Sequence, residues 1–220
     1  MQACDLGFWY EEGRPVLRKI NLTVDTGEFV ALVGANGSGK TTLAKHFIGL
    51  LRPRRGSIAV LGQDALHQPI GALARRVGFL FQHPEHQIFG STVRQEIAFG
   101  PSNLGLPAGD VTLRVQKALE EFDLTMVAER PPAILGYGLR RKVTLASLSA
   151  MDTPILVLDE PTVGLDAPGR SDMLHWLAEQ QALARTILMV THDMALVAEH
   201  ADRVVALREG EVVADEAPAT

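Results

Sequence analysis

Residues 34–42 read Gly34-Ala35-Asn36-Gly37-Ser38-Gly39-Lys40-Thr41-Thr42, a spacing of glycine, lysine and hydroxyl side chains that suits holding a phosphate. The glycines let backbone N–H groups approach an anion closely, and a helix starting there adds partial positive charge. In this pattern Lys40 reaches the β- and γ-phosphates of a nucleotide and the Thr41 hydroxyl binds Mg²⁺. Asn36, Gly37, Ser38, Gly39 and Thr42 complete the loop around the phosphates. Asp159 and Glu160 form a second chemical group, at the end of the apolar run Ile155-Leu156-Val157-Leu158. A carboxylate at the end of a buried strand is costly unless a cation or hydrogen-bond donors meet it. Beside a phosphate loop, Asp159 is placed to hold Mg²⁺, directly or through water, and Glu160 to orient and polarise an attacking water.

These groups need a scaffold that brings strand ends together. The apolar run Phe29-Val30-Ala31-Leu32-Val33 before the loop reads as a buried strand, and the run Leu43 to Ile48 after it as a helix. Strand, loop and helix in that order is the context the phosphate motif requires. Residues 155–159 and 186–190 are continuously apolar, as strands buried on both faces of a parallel sheet are. A helix over 167–183 separates them. Residues 1–33 read instead as strands joined by turns, and 204–214 as a final hairpin around Glu209-Gly210. Thr92 is a plausible N-cap for a helix over Val93–Phe99, with Gln95 placed for a capping box and Gly100-Pro101 as its stop. A helical stripe runs from Val111 to Phe122. Arg140 to Ala150 reads as a helix that opens on positive charge, unfavourable for its dipole unless an anion or partner faces it. The expected fold is α/β: a P-loop core with a mainly parallel sheet, an antiparallel β subdomain and a helical subdomain. Its functional residues sit at the carboxyl ends of strands.

Composition narrows the class. With 46% hydrophobic residues in 220, the chain can bury a sizeable core. A formal net charge of −5 without a long basic run argues against a nucleic-acid partner. One cysteine, Cys4, excludes an internal disulfide framework and suits a reducing compartment. No apolar run reaches the ~20 residues that span a bilayer, so the expectation is a cytosolic protein that meets a membrane through a partner. The chain is only 5% aromatic, which makes Phe8-Trp9-Tyr10 conspicuous. Given the phosphate loop, Tyr10 is a candidate platform for a stacked adenine; without it the trio would read as core.

With these residues in order, the chain resembles an ABC transporter ATPase along nearly all of its length, as one domain over 1–220 with a helical subdomain at approximately 84–150. Val157-Leu158-Asp159-Glu160-Pro161-Thr162 resembles the family's Walker B strand with its catalytic glutamate. Gly164-Leu165-Asp166 resembles the D-loop, Gln82 the Q-loop glutamine and His192 the switch histidine. The resemblance implies ATP and Mg²⁺ as ligands. It also implies His192 at the γ-phosphate, and Gln82 among the metal ligands with Thr41 and Asp159, linking the nucleotide site to a membrane partner. The run from Phe81-Gln82-His83-Pro84-Glu85-His86-Gln87-Ile88-Phe89 to Glu96-Ile97-Ala98-Phe99-Gly100-Pro101 is similar to the energy-coupling factor group, which powers uptake of vitamins and of cobalt or nickel ions. His83, Glu85 and His86 lack a zinc-type framework and are not read as a metal site.

One motif departs from the pattern. Where the family usually carries Leu-Ser-Gly-Gly-Gln, this chain has Leu135-Gly136-Tyr137-Gly138-Leu139. A hydroxyl donor is missing at Gly136, and the Tyr137 ring stands where glycine allows close backbone approach. Because the family sandwiches ATP between one subunit's P-loop and the other's signature, the departure implies an asymmetric pair. A second ATPase subunit would supply a good signature to Lys40, Glu160 and His192, a heterodimer favoured over a homodimer, docked on a transmembrane coupling subunit. A non-transport ABC ATPase and a regulatory nucleotide-binding subunit with little turnover are the alternatives.

Overall fold

The computed structural model describes residues 1–83 and 87–218. Pro84, Glu85 and His86 of the energy-coupling-like run, and with them the start expected for the helical subdomain, lie outside the described residues. The chain opens with β1 (Gln2–Trp9) and β2 (Pro15–Thr23) as an antiparallel pair. Then come β3 (Phe29–Val33), α1 (Lys40–Phe47), β4 (Arg55–Val60), β5 (Gln63–Asp64), α2 (Ile70–Ala74) and β6 (Val77–Leu80). Three helices follow: α3 (Val93–Asn103), α4 (Ala108–Glu121) and α5 (Tyr137–Met151). The rest is β7 (Ile155–Asp159), α6 (Ala167–Ala182), β8 (Thr186–Val190), α7 (Met194–His200), β9 (Arg203–Arg208) and β10 (Glu211–Glu216).

The strands form two sheets, one ordered β2-β1-β4-β5 and the other β10-β9-β3-β8-β7-β6. In the second sheet only β9–β10 pair antiparallel. Its central strands feed two cores by alternation. Phe29, Ala31, Leu156, Leu158, Ile187 and Met189 face the helical side, while Val30, Leu32, Ile155, Val157, Leu188 and Val190 face α1 and the antiparallel sheet. This two-sided burial is why these strands read as unbroken apolar runs. Register aligns their carboxyl ends, pairing Leu32 and Asp159 each with Val190, and Leu80 with Leu158. The loops that leave those ends therefore meet on one edge.

The structure departs from the sequence reading in the helical layer. Thr92 does cap α3, accepting from Gln95 N at 3.2 Å. The Glu96 carboxylate, buried at the helix start, accepts from the Phe89 and Gly90 N–H groups. Gly100-Pro101 does not stop the helix, which runs to Asn103 with Pro101 inside it. Gly100 instead allows close packing, since a Cβ there would lie 2.6 Å from Met151 of α5. The stop is Gly105, at φ +74. Helix α5 starts three residues earlier than expected from its basic stretch, so Arg140 and Arg141 lie in its second turn rather than at its tip. The short α2, β5 and α7 carry too little periodicity to have been read.

Candidate functional site: a phosphate-loop cleft

Helix α1 begins at Lys40, directly after Gly39 in a left-handed conformation (φ +106). Gly39 is required on two counts: its φ, and a Cβ that would lie 2.7 Å from Leu17 and 3.0 Å from the Val16 carbonyl. Gly34 is pressed equally hard, its missing Cβ falling 2.2 Å from the Leu207 carbonyl. The β9–β10 turn thus backs the loop, and Gly210 N donates to Ser38 O at 3.0 Å. The Gly37 side of the loop is open, with nothing among the described residues within 4 Å of where a Cβ would stand.

Lys40 is buried along its stem and donates to the carbonyls of Gly34 (2.8 Å) and Ala35 (3.0 Å). An ammonium has three donors, so the third remains for an anion held by the loop. Thr41 Oγ1 donates to Asp159 Oδ1 at 3.0 Å, joining the two ends of the predicted metal set. Burial raises the Asp159 pKa above its ordinary value, the Thr41 hydrogen bond opposes this, and the neighbouring Glu160 charge adds to the rise. Asn36, Gly37, Gly39, Lys40, Thr41, Thr42, Gln82 and Glu160 line one cleft of about 420 Å³ with Val16 and Val190. A larger cleft of about 510 Å³ lies among α4, α5 and α6. Its two arginines are both paired with Asp152, Arg114 at 3.4 Å and Arg185 closer, and it holds none of the predicted residues.

Glu160 follows β7 in a left-handed conformation (φ +49) unusual for a residue with a side chain. Its carboxylate points into the cleft, and His192 Nδ1, on an exposed ring after β8, comes within 2.9 Å of Oε2. The approach is off the hydrogen-bond line, so Oε2 is buried without a hydrogen-bond partner among the described residues, as is Ser38 Oγ. The orphaned Glu160 oxygen in the cleft fits a site that expects a polar guest, while Ser38 Oγ lies on the Gly34 side of the loop. Tyr10 stands beside α1 with its ring mostly exposed, edge-on to Phe8 at 4.9 Å, and its Oη is 3.3 Å from Thr42 Oγ1. Asp166 and Asp193 cap α6 and α7, accepting from Gly169 N and Leu196 N, and Arg170 pairs with Asp193 at 2.5 Å.

Sequence reading missed Arg141. It is fully buried and donates to the backbone carbonyls of Phe81, Gln82 (3.3 Å), Glu160 (2.9 Å) and Pro161 (3.2 Å). One guanidinium fork thereby ties the end of β6 to the end of β7 and to α5. Burial pulls its pKa well below the ordinary guanidinium range, to about 10, which leaves it charged at neutral pH. In the basic start expected for α5, Arg141 is thus answered by carbonyls and Lys142 by the Asp172 carboxylate at 2.6 Å. Tyr137 stands at the third residue of the altered signature. Its ring does not stand over the approach to α5 but turns toward its own chain, where Oη donates to Val163 O at 3.3 Å. The backbone at Gly136 and Gly138 stays open, while Gly136 caps α5 without a side chain.

A phosphate loop facing a strand-end carboxylate pair across a parallel sheet defines a P-loop nucleoside triphosphatase. The second, antiparallel sheet and the helical layer are the further parts of the ABC ATPase fold. The sequence pattern of the ABC transporter family matches residues 17–163. The cobalt import ATP-binding protein CbiO of Syntrophus aciditrophicus is 42% identical over 220 residues, covering 99% of this chain and 78% of that one. The energy-coupling factor transporter ATP-binding protein EcfA of Methanocaldococcus jannaschii is 39% identical over 220 residues, covering 99% and 79%. The structure of cbiO1 from Clostridium perfringens, part of the ABC transporter complex cbiONQ, superimposes with a TM-score of 0.85 at 34% identity, covering 99% and 88%. Other curated relatives are much longer, and the chain spans 34–37% of their length. The chain belongs to the ABC transporter ATP-binding family, in its energy-coupling factor and CbiO-type group. Among the described residues no helix is long and apolar enough to cross a membrane.

Proposed function

We propose that this chain is the ATP-hydrolysing subunit of an uptake transporter for a vitamin or a transition-metal ion. It would work at the cytoplasmic face of the membrane as one ATPase domain over 1–220, with a helical subdomain at approximately 84–150. The observation that carries the reading is the cleft in which Lys40 and Thr41 face Glu160 and Gln82, with Asp159 buried behind Thr41 and hydrogen-bonded to it. The cargo class comes from the similarity to CbiO and EcfA proteins.

The phosphate loop, from Gly34 to Thr42, binds the phosphates of ATP, and Tyr10 stacks on the adenine. Thr41, Asp159 and Gln82 are oxygen donors of the kind Mg²⁺ takes, and their small number suits an ion that keeps waters and substrate phosphates as ligands. Among the described residues no cluster of three or more His, Cys, Asp or Glu would hold a metal unaided. Bound there, Mg²⁺ would neutralise charge on the β- and γ-phosphates. Glu160 accepts a proton from the attacking water, whose oxygen bonds to the γ-phosphorus as the bond to ADP breaks. His192, after the carboxyl end of the neighbouring strand β8, steadies the γ-phosphate. Closure of two ATPase subunits on ATP moves the surface near Gln82 and a transmembrane subunit docked on it.

The second ATPase is a different chain. Gly136 offers no hydroxyl and Leu139 no amide to a phosphate across the interface, so this chain supplies the catalytic residues and its partner the better signature. The uncapped start of α5 equally favours the second reading, a regulatory subunit with little turnover. ATP-dependent association of the purified Glu160→Gln chain, followed by light scattering, tests the pairing. A monomer that dimerises only when a second ATPase is added supports the heterodimer; a dimer on ATP alone overturns it. In the assembled complex, Glu160→Gln should abolish most turnover, and retained turnover identifies the regulatory reading.

A further inference from the structure

The Tyr137 ring has a definite seat. Gly164 lies under it so closely that a Cβ there would stand 2.5 Å from Cε1 and 2.9 Å from Cζ. The Oη hydrogen bond to Val163 O adds a polar tie to the same turn. Val163 N in turn donates to Glu160 O at 3.3 Å, and that carbonyl also accepts from Arg141. Residues 137 and 141 are four apart on α5 and so lie on one face of it. The helix therefore grips the 160–164 turn at both ends, by Arg141 at Glu160 and Pro161 and by Tyr137 at Val163 and Gly164. Glu160 sits in that turn at φ +49. A left-handed residue with a side chain persists only where its surroundings over-determine it.

We propose that Tyr137 is a positioning residue for Glu160 within its own chain. The inference rests on Glu160 acting as the water-orienting carboxylate. Arg141 holds the near side of the turn together with the neighbouring strand, where Glu160 N donates to Val190 O at 2.9 Å. The Tyr137 ring, seated on a glycine, holds the far side and keeps the Glu160 carboxylate aimed at the cleft. A glycine at 137 would remove the ties from α5 to Val163 O and Gly164, leaving Leu165, packed against the core, as the remaining anchor of that side. The substitution that weakens this chain's signature thus steadies this chain's own catalytic turn, which is the division of labour an asymmetric pair requires.

The test compares Tyr137→Gly and Tyr137→Phe in the full chain. Amide hydrogen exchange over 161–166 reads the turn directly. Fluorescent ATP-analogue binding and steady-state turnover, with the partner ATPase where the chain requires it, read the chemistry. Tyr137→Gly should speed exchange in the turn by about tenfold, the size of one net hydrogen bond lost with its packing. It should lower kcat by about the same factor while KM and ATP binding stay as they were. Tyr137→Phe keeps the ring on Gly164 and should restore most of both. Gly164→Ala should impair the parent chain more than the Tyr137→Gly chain, where the collision is gone and only the backbone strain remains. Unchanged exchange in Tyr137→Gly, or a rise in KM at constant kcat, overturns the proposal. An unmodified chain that neither binds nor hydrolyses ATP would instead sink the functional reading, and the exchange result would still decide whether the ring holds the turn.

Discussion

Replacing Arg141 by methionine would remove the fork that joins three parts of the site while keeping the helix and most of the volume. Arg141 donates to four backbone carbonyls. The Glu160 carbonyl retains Val163 N, which leaves those of Phe81, Gln82 and Pro161 without this donor. An orphaned buried acceptor costs about 2 kcal/mol, so the three together cost about 6. Against this, the buried guanidinium is itself expensive. The fall of its pKa to about 10 marks a desolvation cost on the order of 3 kcal/mol that methionine would recover. The difference, about 3 kcal/mol, is a large share of a domain's stability. Urea unfolding should therefore show Arg141→Met destabilised by about 3 kcal/mol, and Arg141→Lys by less, since an ammonium keeps three of the donors. Turnover in the surviving folded fraction should fall, because both Gln82 and Glu160 lose a backbone anchor. A stability loss under about 1 kcal/mol with unchanged turnover would refute the reasoning that this charge is held by carbonyls and holds them in return.

Three further outcomes follow from local geometry. His46 is buried, with Nδ1 2.7 Å from Thr42 O, and burial lowers its pKa below 6.5. The unfolded chain takes up that proton first, so stability should be flat above pH 6.5 and fall as the pH drops below it. A His46→Phe chain should lose this part of the slope in thermal melts across pH 5–7. Glu96→Ala strips the carboxylate from the Phe89 and Gly90 N–H groups and should cost about 2–4 kcal/mol by denaturant melt, more than the about 1 kcal/mol expected for Thr92→Ala at the cap. Gly39→Ala forces a Cβ against Leu17 and Val16 at a positive φ, and should abolish ATP-analogue binding even in whatever fraction still folds.

How far the sequence could be read depended on how local each determinant was. The phosphate loop was legible because strand, glycines, lysine and helix are contiguous, so the pattern contains its own context. Asp159 and Glu160 were legible because two-sided burial leaves an apolar run that ends abruptly in charge. Arg141 was not, because its acceptors are main-chain atoms some sixty positions upstream and twenty downstream, which no side-chain pattern announces. The length of α3 was misread because a proline costs only one hydrogen bond when packing against α4 and α5 holds the helix. The direction of the Tyr137 ring depended on a gap over Gly164, which is a fact of tertiary packing.

The backing of the phosphate loop by the β9–β10 turn has a consequence for the order in which the protein is made. Gly34 and Ser38 reach their conformation against Leu207 and Gly210, which a ribosome delivers long after the loop itself. Until that hairpin arrives, the loop has its glycines but not the wall that shapes them. A growing chain would thus carry the nucleotide-binding sequence without the means to grip a nucleotide until β9 and β10 had been made, and the grip would come with the closing of the sheet.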